Sequence, residues 1–309
     1  MRALQATLGL LTAALLTARA INLANAASVV TPPAAVGTPV EEWENWRAEE
    51  NAAWSTKEFA ILKIDDAVYL NDGQSAWLTN KKQKVLQYAW TLDALSAPSG
   101  LRVTYHAPMA EVFHKGKSET FTLEGRRMVP VSPGIDIRLE ITQVTPGVNG
   151  LRVMVYNQAN PVARAFKGLD HFPYNPAAAV TATFERAPKV EGIDFQTSRG
   201  WYKRFYKMGV AVFTLEGKAV RLPMYAETAE ADKVTSLSAF YLDEQSGKET
   251  YGVGRYVDVD VKGLPASLTI DFNRSYNPNC ARSPHYNCPV ARDTIPVAVR
   301  AGEKKPPGH

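Results

Sequence analysis

Between Tyr241 and Lys304 the chain gathers residues able to do chemistry. Tyr251 and Arg255 close one run, Asp271, Asn273, Tyr276 and Asn277 form a second, and Cys280, His285 and Cys288 share the Pro-containing loop that follows. General acid–base catalysis needs a group that titrates near neutral pH, so His285, or a perturbed Asp271, is the candidate base, with Arg255 as a clamp for an anion. That set would suit a hydrolase or a lyase. The same residues would also suit a binding surface, because a loop already held rigid loses little entropy when a ligand arrives. A third reading is a polar plug, in which Arg255 pairs Asp271 inside a barrel and the Asn side chains satisfy loop backbone.

Spacing says how these residues would meet. Asp271 and Asn273 are two apart and share a face while a strand continues. If Val257–Val261 pairs with Ser267–Asp271 about the turn Lys262-Gly263-Leu264-Pro265, Arg255 falls opposite the end of that strand. The seven residues Tyr251, Arg255, Asp271, Asn273, Tyr276, Asn277 and His285 are therefore expected in one cluster. Cys280 and Cys288 are expected to form a disulfide closing a nine-residue loop, worth roughly 2.6 kcal/mol by chain-entropy reasoning. Zinc held by Cys280, His285 and Cys288 is the rival, but a structural zinc site takes four ligands. No metal and no cofactor is expected.

Other constellations are missing. The chain has no G-x-S-x-G elbow, H-E-x-x-H, P-loop or EF-hand loop. Gly252-Val253-Gly254 lies between strand-like segments, which suits a bulge or a close strand crossing better than a nucleotide site. His106 and His114 could face each other across a Pro108 turn but lack a third ligand nearby. Asp170 and His171 are adjacent, and neighbours in a strand point to opposite faces.

The elements that must position the cluster read as strands. From Phe59 onward, short β-branched and aromatic runs alternate with Gly, Pro, Asn and Asp: AVYL, LRVTYH, IDIRLEIT, LRVMVY, VTATFE, SLSAFYL, RYVDVDV, SLTIDF and IPVAVR among them. The pattern argues for an all-β protein of sandwiches or barrels, without βαβ units. FTLEG occurs at Phe121–Gly125 and again at Phe213–Gly217, and reads as two ordinary hairpins. Thr38-Pro39-Val40-Glu41 is a capping box with Pro at the first helical position. Trp43, Trp46, Glu50 and Trp54 follow at helical spacing, a stripe suited to lying on a β core or, alternatively, to stacking a ligand.

The N-terminus has the layout of a secretory signal peptide. Arg2 precedes the apolar stretch Leu8–Ala18, and Ala24-Asn25-Ala26 offers a cleavage site that leaves Ala27 first. The expected organisation is a signal peptide (1–26), a linker (27–37), an amphipathic helix (38–57), a first β-sandwich-like unit (58–148) and a second β-barrel or sandwich-like unit (149–309). The boundary between the two units is placed at Thr145–Gly150. Cleavage removes Arg2 and Arg19 and no carboxylate, so the formal charge falls from +4 to +2. A nucleic-acid binder should carry a basic stripe, and the sequence shows only short basic clusters. No transmembrane segment remains after cleavage, and the protein is expected to be exported, to a periplasm or beyond.

The segment from 151 to 304 resembles an uncharacterised bacterial family, the domain of unknown function 1684. The resemblance rests on Thr250-Tyr251-Gly252 with Gly254-Arg255, on Asp271-Phe272-Asn273 with Tyr276-Asn277-Pro278 and Cys280-Ala281, on Cys288-Pro289, and on Ala301-Gly302-Glu303-Lys304. Upstream, Leu151–Pro176 is similar to the family's middle block. Many members look like a forkhead-associated β-sandwich in their first half, but the phosphopeptide-reading motif of that fold is not evident here. After the second Cys-Pro the family commonly continues Pro-rich with Asn, where this chain has Val290-Ala291-Arg292-Asp293. The resemblance brings no activity with it. The expected function is a cell-envelope binding protein for a small molecule, a glycan or an envelope protein, with the hydrolase or lyase as the alternative.

Overall fold

A computed structural model describes residues 38–81, 86–96 and 100–307; the expected signal peptide and linker lie outside the described residues. Helix α1 (Pro39–Ser55) starts where the capping box places it. The Glu41 N–H donates to Thr38 Oγ1 at 3.3 Å, and the Thr38 N–H donates to Glu41 Oε2 at 2.7 Å, so two orphan donors of the helix terminus are satisfied. Its tryptophans anchor it: Trp43 and Trp54 are buried, and the Trp43 indole donates to the Asn273 carbonyl at 2.9 Å. Trp54 stacks on Phe166, with ring centroids 6.2 Å apart. The helix lies on the β structure by its aromatic stripe, which is the packing reading of that spacing.

Nine strands follow among the described residues: β1 (Ile64–Leu70), β2 (Ser75–Lys81), β3 (Gln87–Thr91), β4 (Arg102–His106), β5 (Met109–His114), β6 (Lys117–Thr122), β7 (Arg126–Ser132), β8 (Ile135–Thr145) and β9 (Val148–Asn157). They form a four-stranded sheet, β1-β9-β8-β7, and a five-stranded sheet, β3-β2-β4-β5-β6. Leu70, Leu78, Val103, Tyr105, Ile137, Leu139 and Val153, from both sheets, share one buried core. Alternation along β8 (Ile135, Ile137 and Leu139 buried) is what a half-covered strand requires. Pro146-Gly147, expected as a break between units, is the two-residue turn of the β8–β9 hairpin, with Thr145 opposite Val148. His106 and His114 sit at opposite ends of the β4–β5 hairpin, paired with Met109 and Lys117, so they do not face each other.

Helix α2 (Pro161–Ala165) leads into the second assembly: β10 (Ala179–Gln196), β11 (Tyr202–Leu215), β12 (Lys218–Ala226), β13 (Ser236–Leu242), β14 (Arg255–Asp260), β15 (Ser267–Asp271) and β16 (Asp293–Thr294). The sheet order is β14-β13-β12-β11-β10-β15, with β16 parallel to β13. The strands of Arg255 and Asp271 therefore share a sheet as expected, but they occupy its opposite edges and the hairpin between them does not form. The edges instead curl together. Tyr256 and Tyr276 exchange both backbone hydrogen bonds at 2.9 Å, leaving a nearly closed barrel around Leu222, Leu237, Val257, Ile270 and Phe272.

The second FTLEG makes a two-residue hairpin turn with Glu216 and Gly217 both at positive φ, as its strands require. The first does not: Glu124-Gly125 carries the chain from β6 in one sheet to β7 in the other. IPVAVR (295–300) alternates as a strand would, with Ile295, Val297 and Val299 buried, yet belongs to no sheet. An aromatic cluster of Tyr156, Phe195, Phe205, Tyr225, Phe240 and Tyr256 joins the two assemblies. Among the described residues no helix is long and apolar enough to cross a membrane.

His171 is buried between α1 and the barrel, edge-on to Trp43 and Trp46. Burial, reinforced by the nearby Arg47, pulls its imidazole down from the usual 6.5 to about 4. The folded state thus binds fewer protons than the unfolded state between these values. Stability is full above pH 6.5 and falls as the pH drops toward 4, by on the order of 3 kcal/mol. His171→Phe keeps the ring packing, so urea denaturation at a series of pH values should show the loss across this window reduced in the variant.

Candidate functional site

Arg255 opens β14 opposite Tyr241, and its side chain points into the barrel with 1% exposure. Nη2 donates to Asp243 Oδ2 at 2.7 Å and to the Val299 carbonyl at 2.8 Å; Nη1 donates to the carbonyls of Ala301 and Glu303. Asp243, one residue past β13, has a side chain only 1% exposed and also accepts from the Gln245 N–H and the Thr250 hydroxyl. The expected Arg255–Asp271 pair is replaced by Arg255–Asp243. The reason is topological: β13 is the neighbour of β14, whereas β15 lies at the other edge. Both terminal nitrogens of Arg255 are engaged within the protein, and the one donor without a partner, Nε, is buried.

Asp271 instead caps the turn after β15, accepting from the Asn273 N–H at 3.0 Å and its amide at 2.8 Å, with Arg274 3.7 Å away. Asn273, fully buried, exchanges two 2.8 Å hydrogen bonds with the backbone of Asn175 and receives the Trp43 indole on its own carbonyl. The Asn277 N–H donates to Glu303 Oε2, and its amide to the Lys304 carbonyl, both at 2.8 Å. Glu303 is buried and also takes Arg282 on Oε1 at 3.0 Å; burial pushes its carboxyl above the ordinary range, and these partners oppose that rise. Gly302 has φ +78°, and a Cβ there would lie 2.5 Å from the Ser275 carbonyl oxygen, so only glycine lets the tail pass this close.

Arg255 and Asn277 thus converge on the tail at residues 299–304, whereas Asn273 is tied to Asn175 and Trp43. Tyr251 is buried near the two cysteines. Tyr276 points to Asp258 (2.7 Å), and His285 Nδ1 sits 3.4 Å from Asp66 Oδ1, on β1 of the first assembly. His285 and Asp271 do not share a site. The polar cluster is a plug in which nearly every group is consumed by structure.

The other side of the same loop borders open space. A cleft of about 840 Å³ lies among Leu62, α2 with Phe166, the stretch 280–284, and Pro306-Pro307. Its walls are mostly apolar: Val162, Ala165, Phe166, Ala281, Pro284 and Pro306. Lys167 and Asp170 stand at its rim. Asp170 is 3.6 Å from Lys304 Nζ, while exposed Lys167 has no ion pair among the described residues.

Cys280 is on the cleft wall and Cys288 is buried behind it. The disulfide expected between them is not formed in the structure: both are free thiols, and Cys288 Sγ accepts the Cys280 N–H at 3.4 Å. The loop is held by other means, including the Arg282–Glu303 pair, the Cys288 N–H to Ser198 Oγ bond at 3.2 Å, and the Pro289–Thr197 bridge. No group of three metal-ligating side chains occurs among the described residues.

Residues 164–304 match the profile of a family described as a protein of unknown function, DUF1684. The resemblance read in the sequence is borne out over that segment. No curated protein matches the chain. Among solved structures, the solution structure of an uncharacterized protein from gene locus rrnAC0354 of Haloarcula marismortui is 28% identical, covering 48% of this chain and 83% of that one, with a TM-score of 0.41.

Within the DUF1684 segment, the residues that sequence reasoning passed over are Asp243 and Glu303. Both stood in the polar runs already singled out. The signal that could have found Asp243 is the need of a buried arginine for a carboxylate on an adjacent strand. The cleft residues of α2 carried no such signal.

The plug makes a testable demand. Arg255→Met strands the buried Asp243 carboxylate and should cost roughly 3–5 kcal/mol in equilibrium urea unfolding. Adding Asp243→Asn should restore part of that loss, since the stranded charge is gone; a strictly additive double variant would contradict the pairing.

Proposed function

We propose that the protein is an exported binding protein of the cell envelope. Its ligand is a small molecule with an apolar body and an acidic end, held in the cleft beside α2. The observation that carries this reading is the cleft itself, whose volume of about 840 Å³ falls in the range of small-molecule sites and whose lining is apolar with few polar groups. A glycan would want more hydrogen-bonding partners than these walls offer. Unpaired Lys167 at the rim favours a negative charge on the ligand. The plug supports the binding reading over the catalytic one, because both terminal nitrogens of Arg255 are engaged and His285 lies apart from Asp271.

Export rests on the N-terminal pattern, and binding on the cleft; they are separable. N-terminal sequencing of protein recovered from the envelope fraction should begin at Ala27, and protein that keeps Met1 would refute export. For the cleft, the probe is 1-anilinonaphthalene-8-sulfonate, which has an apolar ring system and one anionic group. Ala165→Trp, at an exposed position on the cleft wall, should abolish its binding with an unchanged melting temperature. Lys167→Glu should weaken it roughly five-fold, the scale of an exposed ion pair worth about 1 kcal/mol. A wild-type protein that fails to bind the probe, or an Ala165→Trp variant that binds it as well, would count against the cleft.

A further inference from the structure

The two cysteines differ in everything that sets thiol reactivity. Cys280 sits half-buried on the wall of the cleft, within reach of a bound molecule, whereas Cys288 is 8% exposed and lies in the aromatic core shared by the two assemblies. They are nonetheless in contact: the Cys280 N–H reaches Cys288 Sγ at 3.4 Å. The Cys288 side chain holds the Cys280 thiol down to about 7, against the effect of burial. The same interaction, together with burial, pushes the Cys288 thiol up. An accessible thiol that ionises near neutrality with a second thiol buried in contact behind it is the arrangement that thiol–disulfide exchange requires.

We propose that Cys280 and Cys288 form a redox-active dithiol, in which Cys280 attacks a disulfide-bearing small molecule entering the cleft and Cys288 resolves the product. The inference deepens the cleft reading and rests on it for the route of entry. In the first step the Cys280 thiolate attacks one sulfur of R–S–S–R. A Cys280–S–S–R bond forms, the R–S–S–R bond breaks, and one R–S⁻ leaves. In the second step Cys288 loses its proton and attacks Cys280 Sγ, displacing the second R–S⁻ and closing the Cys280–Cys288 disulfide. The protein is oxidised by two electrons, the small disulfide is reduced to two thiols, and the two protein thiol protons end on them. Loop 280–288 can close this bond because it already brings Cys288 Sγ to 3.4 Å from the Cys280 backbone nitrogen; the structure shows the dithiol side of the couple.

The test uses the reduced full-length protein and 5,5′-dithiobis(2-nitrobenzoic acid). The wild type should release two thionitrobenzoates per chain, keep no adduct, and end two hydrogens lighter by mass. Cys288→Ser should release one and retain the adduct, and Cys280→Ser should react at least ~10-fold more slowly because its remaining thiol is buried. A wild type that retains the adduct, or a Cys280→Ser variant that reacts as fast as wild type, would overturn the proposal. Should either variant fail to fold, iodoacetamide labelling of the wild type at pH 7 decides. Cys280 labelled first supports the dithiol, and equal labelling of both cysteines overturns it. Ala165→Trp should slow attack on an apolar aromatic disulfide, and an unchanged rate would overturn entry through the cleft. A wild type that releases two thionitrobenzoates yet does not bind anilinonaphthalene sulfonate would sink the ligand reading and leave the dithiol standing.

Discussion

A guanidinium sealed inside a β-barrel is stable only if a carboxylate and a set of acceptors are sealed in with it, since an unpaired buried charge costs several kcal/mol. Arg255 meets that condition with Asp243 and three backbone carbonyls of the tail. The consequence runs through the rest of the fold. The tail from Ile295 to Ala301 buries alternate apolar residues like a strand, but its Val299 and Ala301 carbonyls are spent on Arg255, and it crosses the barrel without joining the sheet. A stretch of backbone buried without a full ladder is tolerable because its groups find other partners: Arg255 for Val299 and Ala301, and the backbone of Leu242 and Glu244 for Ile295 and Val297.

Glu303 extends the arrangement outward. Once the tail is fixed by Arg255, its carboxylate is placed to accept from the Asn277 backbone and from Arg282, and Gly302 allows the main chain to pass against Ser275. Asn273 and Trp43 then tie the same loop to α1. The residues that make the DUF1684 segment recognisable are therefore, in large part, the parts of one scaffold. The cleft inherits its rigidity from them: Cys280, Ala281 and Arg282 line its wall while their neighbours Asn277 and Glu303 are locked on the inner side.

The alternation of β-branched and polar residues made the strands legible, because a half-buried strand imposes period two on its sequence wherever one face meets a core. The capping box and tryptophan stripe of α1 were legible for an equally local reason. What sequence could not show was which strands become neighbours. Pairing β14 with β15 followed from their short connection, since consecutive strands are usually adjacent. Here Val261–Ala266 spans the seam of a nearly closed barrel, so the two strands meet as its edges and Asp271 faces the surface. That one topological difference moved the partner of Arg255 from Asp271 to Asp243. The cleft was illegible because its wall is assembled from Leu62, a five-residue helix and the last prolines, stretches too short to carry a period and far apart in the chain.

The disulfide expectation shows the limit of reading a loop in isolation. Cross-linking a nine-residue loop stabilises chiefly by restricting the unfolded chain, and roughly 2.6 kcal/mol would be a large gain for a loop with nothing else to hold it. Loop 280–288 is not in that position. Arg282 is tied to Glu303, the Ser283 N–H to the Asn279 carbonyl, the Cys288 N–H to Ser198, and Pro289 bridges Thr197. With the backbone already fixed at both ends, a bond between the sulfurs is not needed to hold the loop. Two cysteines held side by side by a scaffold that does not depend on their bond can be joined or parted with little change in the fold around them, which is the physical condition for a cysteine pair to act chemically instead of structurally.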